Sequence, residues 1–439
     1  MKEYSNRREF LRHIGIGSLV SMASPAIIRG RSAHSRIHLA GVGVGGKGWT
    51  DLGQSSFGHD VVAICDVDET RLERAAQRYP MARKYTDWRK LLEQSDIDAL
   101  TVSTPDHMHA PISFRAISMG KHVYTQKPLT HSVYEARVLT RLAKQKGVVT
   151  QMGIQHHSSA RIKTGVQVVQ DGIIGKVREV HVWTNRPGQY WQQQLQRPSG
   201  NDPIPQHFHW DLWLGTAPSR PYRAGKTYHP FHWRGWWDFG TGALGDMGCH
   251  LIDPSFKALE LGFPISVWAE GPSPLPESGP RWSIVHYDFP GTQYTTKQLR
   301  MTWYEAGLKP PSHLFNAPPD WPGSANGTLF IGEKGNLFLG WPEPAQLFPE
   351  DTFSNYILPR HSDDNHYTQW TNAILEREIP SAPFSYSGPL TETVLLGNVA
   401  FRTQKKLEWD HDNLQARGVP EATQYIRRPY RNGWEMDGL

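Results

Sequence analysis

Residues 36–46 read Arg36-Ile37-His38-Leu39-Ala40-Gly41-Val42-Gly43-Val44-Gly45-Gly46, and this stretch decides the fold of the first half of the chain. Residues 36–40 are a short apolar strand that runs straight into the glycines. A helix-like stretch follows from Trp49, and a second strand at 61–65 ends on Asp66. The spacing has a physical reading: Gly41 permits a tight turn, Gly43 lets the backbone approach a pyrophosphate, and Gly46, after Gly45, lets helix pack on strand. The helix N-terminus then offers free N–H groups and a positive dipole end to the phosphates. Asp66, twenty residues past Gly46, stands where a carboxylate accepts both ribose hydroxyls. Asp66-Val67-Asp68 lacks an adjacent arginine for a 2′-phosphate, so NAD is expected, with NADP left possible by Lys47.

Working outward, strands are read at 99–103, 121–124 and 148–152. Helices run through 112–119 and 132–146, the second closing at Gly147. Such alternation predicts an α/β fold: a Rossmann doubly wound parallel sheet with its ligand crevice at the carboxyl ends of the strands. Thr104-Pro105-Asp106-His107-Met108-His109 and Gln126-Lys127-Pro128 both fall at such ends, where loops carry function.

The glycine run, Thr104-Pro105-Asp106-x-x-His109, Lys127-Pro128 and Gly245-Asp246-Met247-Gly248-Cys249-His250, in that order, resemble the Gfo/Idh/MocA oxidoreductases over residues 35–415. The resemblance implies a dinucleotide-binding domain followed by a C-terminal α/β domain. The open sheet of the latter carries the substrate site and often an oligomer interface. The family motif is Glu-Lys-Pro with the lysine in catalysis; here Gln126 replaces the glutamate and Lys127 is kept. Cofactor contacts are expected from Gly41, Gly43, Gly45, Gly46, Asp66, Thr104, Pro105, His107, His109 and Lys127.

Asp246 and His250 are four residues apart in a helical reading of 245–261, so they share a face. Oxidation of an alcohol by hydride transfer needs a base for the hydroxyl proton and a positive group for the developing alkoxide. His250 reads as the base, because its ordinary pKa lies near working pH. Lys127 supplies the positive charge, and Asp246 orients the hydroxyl or the imidazole.

Residues 185–241 are rich in Pro, Gly, His and Trp, and hold six of the seventeen tryptophans. A long irregular segment in a compact enzyme is usually a binding loop or lid. Flat apolar faces suit sugar rings, so Arg186, Trp236 and Trp237 are expected substrate contacts, with Gln155 and His156 beyond the first domain's last strand. The alternative, that these tryptophans pack the segment down or cover a subunit interface, stays open. Further strands at 267–270, 282–288 and 298–304, a hairpin at 327–339 and helices at 365–376 and 390–405 predict a large open, mostly antiparallel sheet capped by helices. One face of that sheet must be covered, which suggests a homo-oligomer. Residues 425–439 read as an extended tail, an arm onto a neighbour.

The 439 residues suit two domains, at 35–155 and 156–424, after a leader at 1–34. Of the net charge of +5, +4 lies in residues 1–34, so the body is near neutral and nucleic-acid binding is excluded. Two cysteines make neither a disulfide framework nor a four-thiolate site. Asp246, His250 and Asp253, His156-His157, and His207 with His209 lack zinc-box spacing, so no metal is expected. Asn6-Arg7-Arg8-Glu9-Phe10-Leu11-Arg12 ahead of a short, Gly-rich apolar stretch resembles a twin-arginine export signal, too short to span a membrane. The expected partner is therefore the twin-arginine translocation machinery and the expected location periplasmic. Free NAD is scarce there, so a tightly bound cofactor is expected. The function read is an NAD(P)-dependent oxidoreductase acting on a hydroxyl of a sugar, glycoside or polyol. The alternatives are a glycoside-cleaving enzyme working through oxidation, elimination and reduction, and a non-catalytic carbohydrate binder.

Overall fold

Strand–helix alternation builds the first sheet in the computed structural model, which describes residues 36–318, 321 and 323–439. The leader with its paired arginines lies outside the described residues. The elements run β1 (His38–Val42), α1 (Lys47–Ser55), β2 (Asp60–Cys65), α2 (Glu69–Arg78), β3 (Arg83–Tyr85) and α3 (Trp88–Leu92). They continue through β4 (Ala99–Val102), α4 (His109–Ser118), β5 (His122–Gln126), α5 (Val133–Lys146) and β6 (Thr150–Gly153). The strands lie in the order β3-β2-β1-β4-β5-β6, all parallel. Every residue of β4 is buried, as a sheet covered on both faces requires. The strand order reverses between β1 and β4, and the loops leaving them diverge there into a crevice. Local signals set the helix ends. Ser132 and Glu135 form a capping box before α5, and Gly147 closes it with a left-handed φ of 63°.

The glycines divide the work differently from the expectation. A Cβ on Gly46 would meet nothing, and this residue serves through its φ of 49°. The close packing of helix on strand falls to Gly48, where a Cβ would lie 1.7 Å from the Gly43 carbonyl oxygen.

The second half adds β7 (Val177–Trp183), β8 (Ser266–Glu270), β9 (Ile284–Pro290), β10 (Thr295–Tyr304), β11 (Gly327–Gly332), β12 (Asn336–Gly340), β13 (Ala345–Phe348), β14 (Leu407–Asp410) and β15 (Gln415–Arg417). They form one sheet, β13-β12-β11-β7-β10-β9-β8-β14-β15, antiparallel except for the β7–β10 pair. The helices here are α6 (Ala160–Gln170), α7 (Trp210–Leu214), α8 (Gly242–Leu251), α9 (Asp253–Ala258), α10 (Glu350–Phe353), α11 (His366–Glu376), α12 (Phe384–Thr403) and α13 (Thr423–Ile426). The single helix expected over 245–261 is two, because Pro254 in the first turn of α9 has no N–H to continue the ladder.

The C-terminal residues are not an outward arm. Arg428 donates to the His107 carbonyl (2.7 Å) and pairs with Glu135 (3.2 Å), Tyr430 donates to Glu135 (2.7 Å), and Trp434 is buried. The tail straps the chain's own first sheet to the tryptophan-rich segment, where Arg431 donates to the Gly215 carbonyl.

Candidate active site

A cavity of about 520 Å³ opens at the carboxyl ends of β1, β2, β4 and β5. At one end lie Gly43, Gly45, Gly46 and Asp66, and at the other Lys127, Gln155, Asp246 and His250. Thr104, Pro105 and His109 line it between them. Residues drawn from positions as distant as Gly43 and His250 thus face one space.

The glycine end fits a dinucleotide. No side chain caps α1, so its first N–H groups are left for a phosphate beside open space at Gly46. Asp66 does more than await a ribose. Its Oδ2 accepts from the N–H groups of Val44 (3.0 Å) and Gly45 (3.2 Å), and Oδ1 from that of Asp68 (3.0 Å). Of a carboxylate's roughly four acceptor sites, about one is left, so a single ribose hydroxyl rather than both is within its capacity. Burial raises its pKa against the Asp68 hydrogen bond. An arginine does stand close by, contrary to the sequence expectation: Arg71 lines the cavity beside Gly45, with Nε 3.4 Å from Asp68.

At the far end, Lys127 Nζ donates to the Asp246 carbonyl (2.6 Å) and Oδ1 (2.8 Å), and Arg234 Nε to the same Oδ1 (3.2 Å). Burial works to raise the Asp246 pKa, but Lys127 and Arg234 outweigh it and hold the carboxyl well below its ordinary range. His250, one turn on, is not hydrogen-bonded to Asp246; its Nδ1 is buried without a partner. Burial, with Lys127 and His156 close by, pushes the His250 pKa far down, so the imidazole is neutral. Its ring packs edge-on to His156 (5.8 Å) and Trp341 (5.4 Å).

His109 ties the two loops together, its ring nitrogens 2.7 Å from the Pro128 carbonyl and 2.9 Å from that of Thr104. Burial pulls its pKa to about 4. His107 faces away from the cavity. Its ring sits between the carbonyls of Phe239 and Trp213, and burial takes its pKa to about 3, so it anchors the tryptophan-rich segment instead of contacting a cofactor. Gly41 is likewise behind the wall, packed under Leu52.

The substrate contacts are redistributed. Gln155 lines the cavity and donates to the Tyr124 hydroxyl (2.8 Å). His156 lies behind, stacked on Trp341 at 3.9 Å. Arg186 covers Tyr190, and Trp236 and Trp237 are buried with their indole N–H groups on the carbonyls of Thr227 and Leu275; none of the three lines the cavity. Trp213, Phe231, Trp233 and Arg234 do. Nothing in the spacing of this aromatic run distinguishes wall from core; only the packing does. Asp106 was also missed as a site residue, though it belongs to the Thr-Pro motif. It accepts from the Thr241 hydroxyl (2.6 Å), and burial pushes its pKa up to about 7.

The tryptophan-rich segment also closes the nucleotide end. Phe208 makes a β-bridge with Asp68, His209 N–H donates to Val67 (2.9 Å) and Glu69 N–H to His207 (2.9 Å). His229 Nε2 lies 3.2 Å from Asp68 Oδ2.

Among the described residues no group of three His, Cys, Asp or Glu is placed to hold a metal ion. No described helix is long and apolar enough to cross a membrane.

Two family models match. Residues 35–154 match the NAD-binding Rossmann fold of the Gfo/Idh/MocA oxidoreductase family, and residues 158–294 its C-terminal α/β domain. Levoglucosan dehydrogenase of Pseudarthrobacter phenanthrenivorans is 24% identical over 190 residues, covering 43% of this chain and 40% of its own length. The NAD-dependent scyllo-inositol 2-dehydrogenase of Bacillus subtilis is 27% identical over 144 residues, covering 32% and 42%. The chain thus spans about two-fifths of the length of these curated relatives. In solved structures the fold recurs in the WlbA dehydrogenase of Bordetella pertussis with NADH and UDP-GlcNAcA, at TM-score 0.60, 16% identity and coverage of 86% and 99%. It recurs too in levoglucosan dehydrogenase with NADH and levoglucosan, at TM-score 0.57, 15% identity and coverage of 85% and 99%.

Proposed function

Because this chain belongs to the Gfo/Idh/MocA family of NAD-binding oxidoreductases, we propose that it moves a hydride between NAD and a CH–OH carbon of a sugar, glycoside or polyol. The observation that carries this is the single cavity joining the glycine loop to Lys127, Asp246 and His250. The loop glycines, α1's N–H groups and Asp66 would hold the dinucleotide, which when bound supplies the hydride acceptor. Lys127, charged and aimed by Asp246, stabilises the oxygen of the substrate as it loses its proton. His250, kept neutral by its surroundings, takes that proton at a ring nitrogen. Asp246 stays ionised and holds Lys127 and Arg234 in place.

The proposal includes a cofactor kept between turnovers, supported by the bridge and hydrogen bonds that fasten residues 207–209 over the Asp66 loop. It includes export in folded form through the twin-arginine machinery to the periplasm, supported by Arg7-Arg8 and the short apolar stretch behind them. A homo-oligomer completes it, supported by the nine-stranded open sheet.

One observation favours a second reading, glycoside cleavage by oxidation, elimination and re-reduction. Asp106, with a pKa of about 7, puts a second acid in the cavity, able to protonate a leaving group. Purified protein incubated with a panel of sugars, polyols and glycosides separates the two. Net NADH formation identifies the dehydrogenase, and aglycone release without net NADH the cleaving enzyme. Neither product from any member would refute both.

A further inference from the structure

Gln126 stands where the family motif has a glutamate, and a carboxylate lies one hydrogen bond away. Asp51, on α1, is fully buried; its Oδ2 accepts from Gln126 Nε2 (2.8 Å) and from Ser103 Oγ (2.8 Å). Its Oδ1 lies 2.8 Å from Lys47 Nζ, which donates to the Tyr367 hydroxyl (2.6 Å). The other end of the Gln126 amide, Oε1, accepts from the Lys127 N–H (3.3 Å). The amide is therefore oriented at both ends, N–H to a carboxylate and oxygen to the peptide that carries Lys127. It is also walled in, since a Cβ on Gly153 would come within 2.5 Å of Nε2.

Two carboxylates cannot share that contact. A glutamate at 126 would face Asp51 across 2.8 Å with no proton between them, and Lys47 neutralises one buried negative charge, not two. We propose that Asp51 and Gln126 are one unit that positions Lys127, with Asp51 supplying from α1 the buried negative charge that the motif otherwise carries at 126. Asp51 is a positioning residue: it acts on Lys127 through the Gln126 amide. The inference rests on the reading of Lys127 as the group that meets the substrate oxygen.

The test exchanges the two chemistries in the full-length protein: Gln126→Glu, Asp51→Asn, and both together. Three readouts need no carbohydrate: melting temperature, NADH affinity by fluorescence, and the pH profile of Lys127 acetylation by acetic anhydride, followed by peptide mass spectrometry. In Gln126→Glu the added carboxylate should lower the melting temperature at pH 8 and move the Lys127 profile up by about one pH unit. Both defects should shrink as the pH falls toward 5.5, where the two carboxyls share a proton. Where a sugar is turned over, its rate should drop about tenfold in that variant. The double variant, with an amide at 51 and a carboxylate at 126, should return to within about threefold of the parent in rate and lose the pH-dependent recovery. A Gln126→Glu protein that matches the parent in melting and in its Lys127 profile overturns the proposal. So does a double variant no better than the single. Failure to oxidise any sugar would instead refute the function proposed above, while the melting and acetylation results still decide this inference.

Discussion

The glycine loop and the tryptophan-rich segment line the same cavity from opposite sides, and they were specified in opposite ways. In the loop, each residue's role follows from its neighbours in the chain: Gly43 and Gly46 take left-handed φ values of 76° and 49°, and Gly48 leaves room for the Gly43 carbonyl. In the segment, identity in the chain says little about role. Trp210, Trp213, Trp236, Tyr228 and Phe239 pack on one another as a small core, and only some of the aromatics turn a face to the cavity. Backbone sterics are local and readable in order, whereas an indole fills whichever gap the fold presents.

Substitutions can break or sharpen this contrast, the largest effects first. Lys127→Ala removes the charge aimed at the substrate oxygen. It should cut turnover on the sugar found active about 10³-fold with NADH affinity little changed, as steady-state kinetics beside NADH fluorescence titration would check. An equal loss of NADH affinity would put the lysine on the cofactor side. In the loop, Gly48→Ala drives a methyl into the Gly43 carbonyl. It should cost about 1–3 kcal/mol in denaturant melts and weaken NADH binding sharply.

Across the cavity, His229→Ala frees the segment from Asp68 and should speed NADH release about tenfold without touching the chemical step, measured by stopped-flow displacement. An unchanged release rate would remove the cover from the account of cofactor retention. Trp236→Phe is the mildest. It should lower the melting temperature by a few degrees at most, with KM for the sugar within about twofold of the parent. A large KM change would return Trp236 to the substrate site.

Acid separates the two regions less than it weakens the whole. His109, His156 and His229 are held near pKa 4 by burial, below the ordinary 6.5, so the unfolded chain binds more protons than the native one between those values. Stability should therefore be full above pH 6.5 and fall as the pH drops toward 4. Each such histidine contributes about 1.4 kcal/mol per pH unit in that window, and melting curves from pH 7.5 to 4.5 would show it. A flat profile would mean that these imidazoles are charged in the native state.

Much of the fold was legible because its signals are short-range. The alternation of strands and helices, the capping box at Ser132 and the Gly147 stop were all readable, as was the antiparallel second sheet. The site was half legible. Lys127, Asp246 and His250 were found through motif and spacing. Arg234, Trp213 and Arg71 were not, since each reaches the cavity through the path of a distant loop. The Asp246–His250 spacing also suggested a partnership that the packing dissolves: the carboxylate turns to Lys127 and Arg234, leaving the imidazole neutral.

The order of residues alone determined the two architectures, the dinucleotide turn and the family, because hydrophobic period, backbone sterics and helix ends act over a few residues. The tertiary structure decided which aromatic groups are wall and which are core, where the tail lies, and which charges meet. Asp51 and Gln126 are 75 positions apart, and Lys127 and Asp246 are 119 apart. Hydrogen bonds and desolvation depend on distances in space that separation along the chain does not encode.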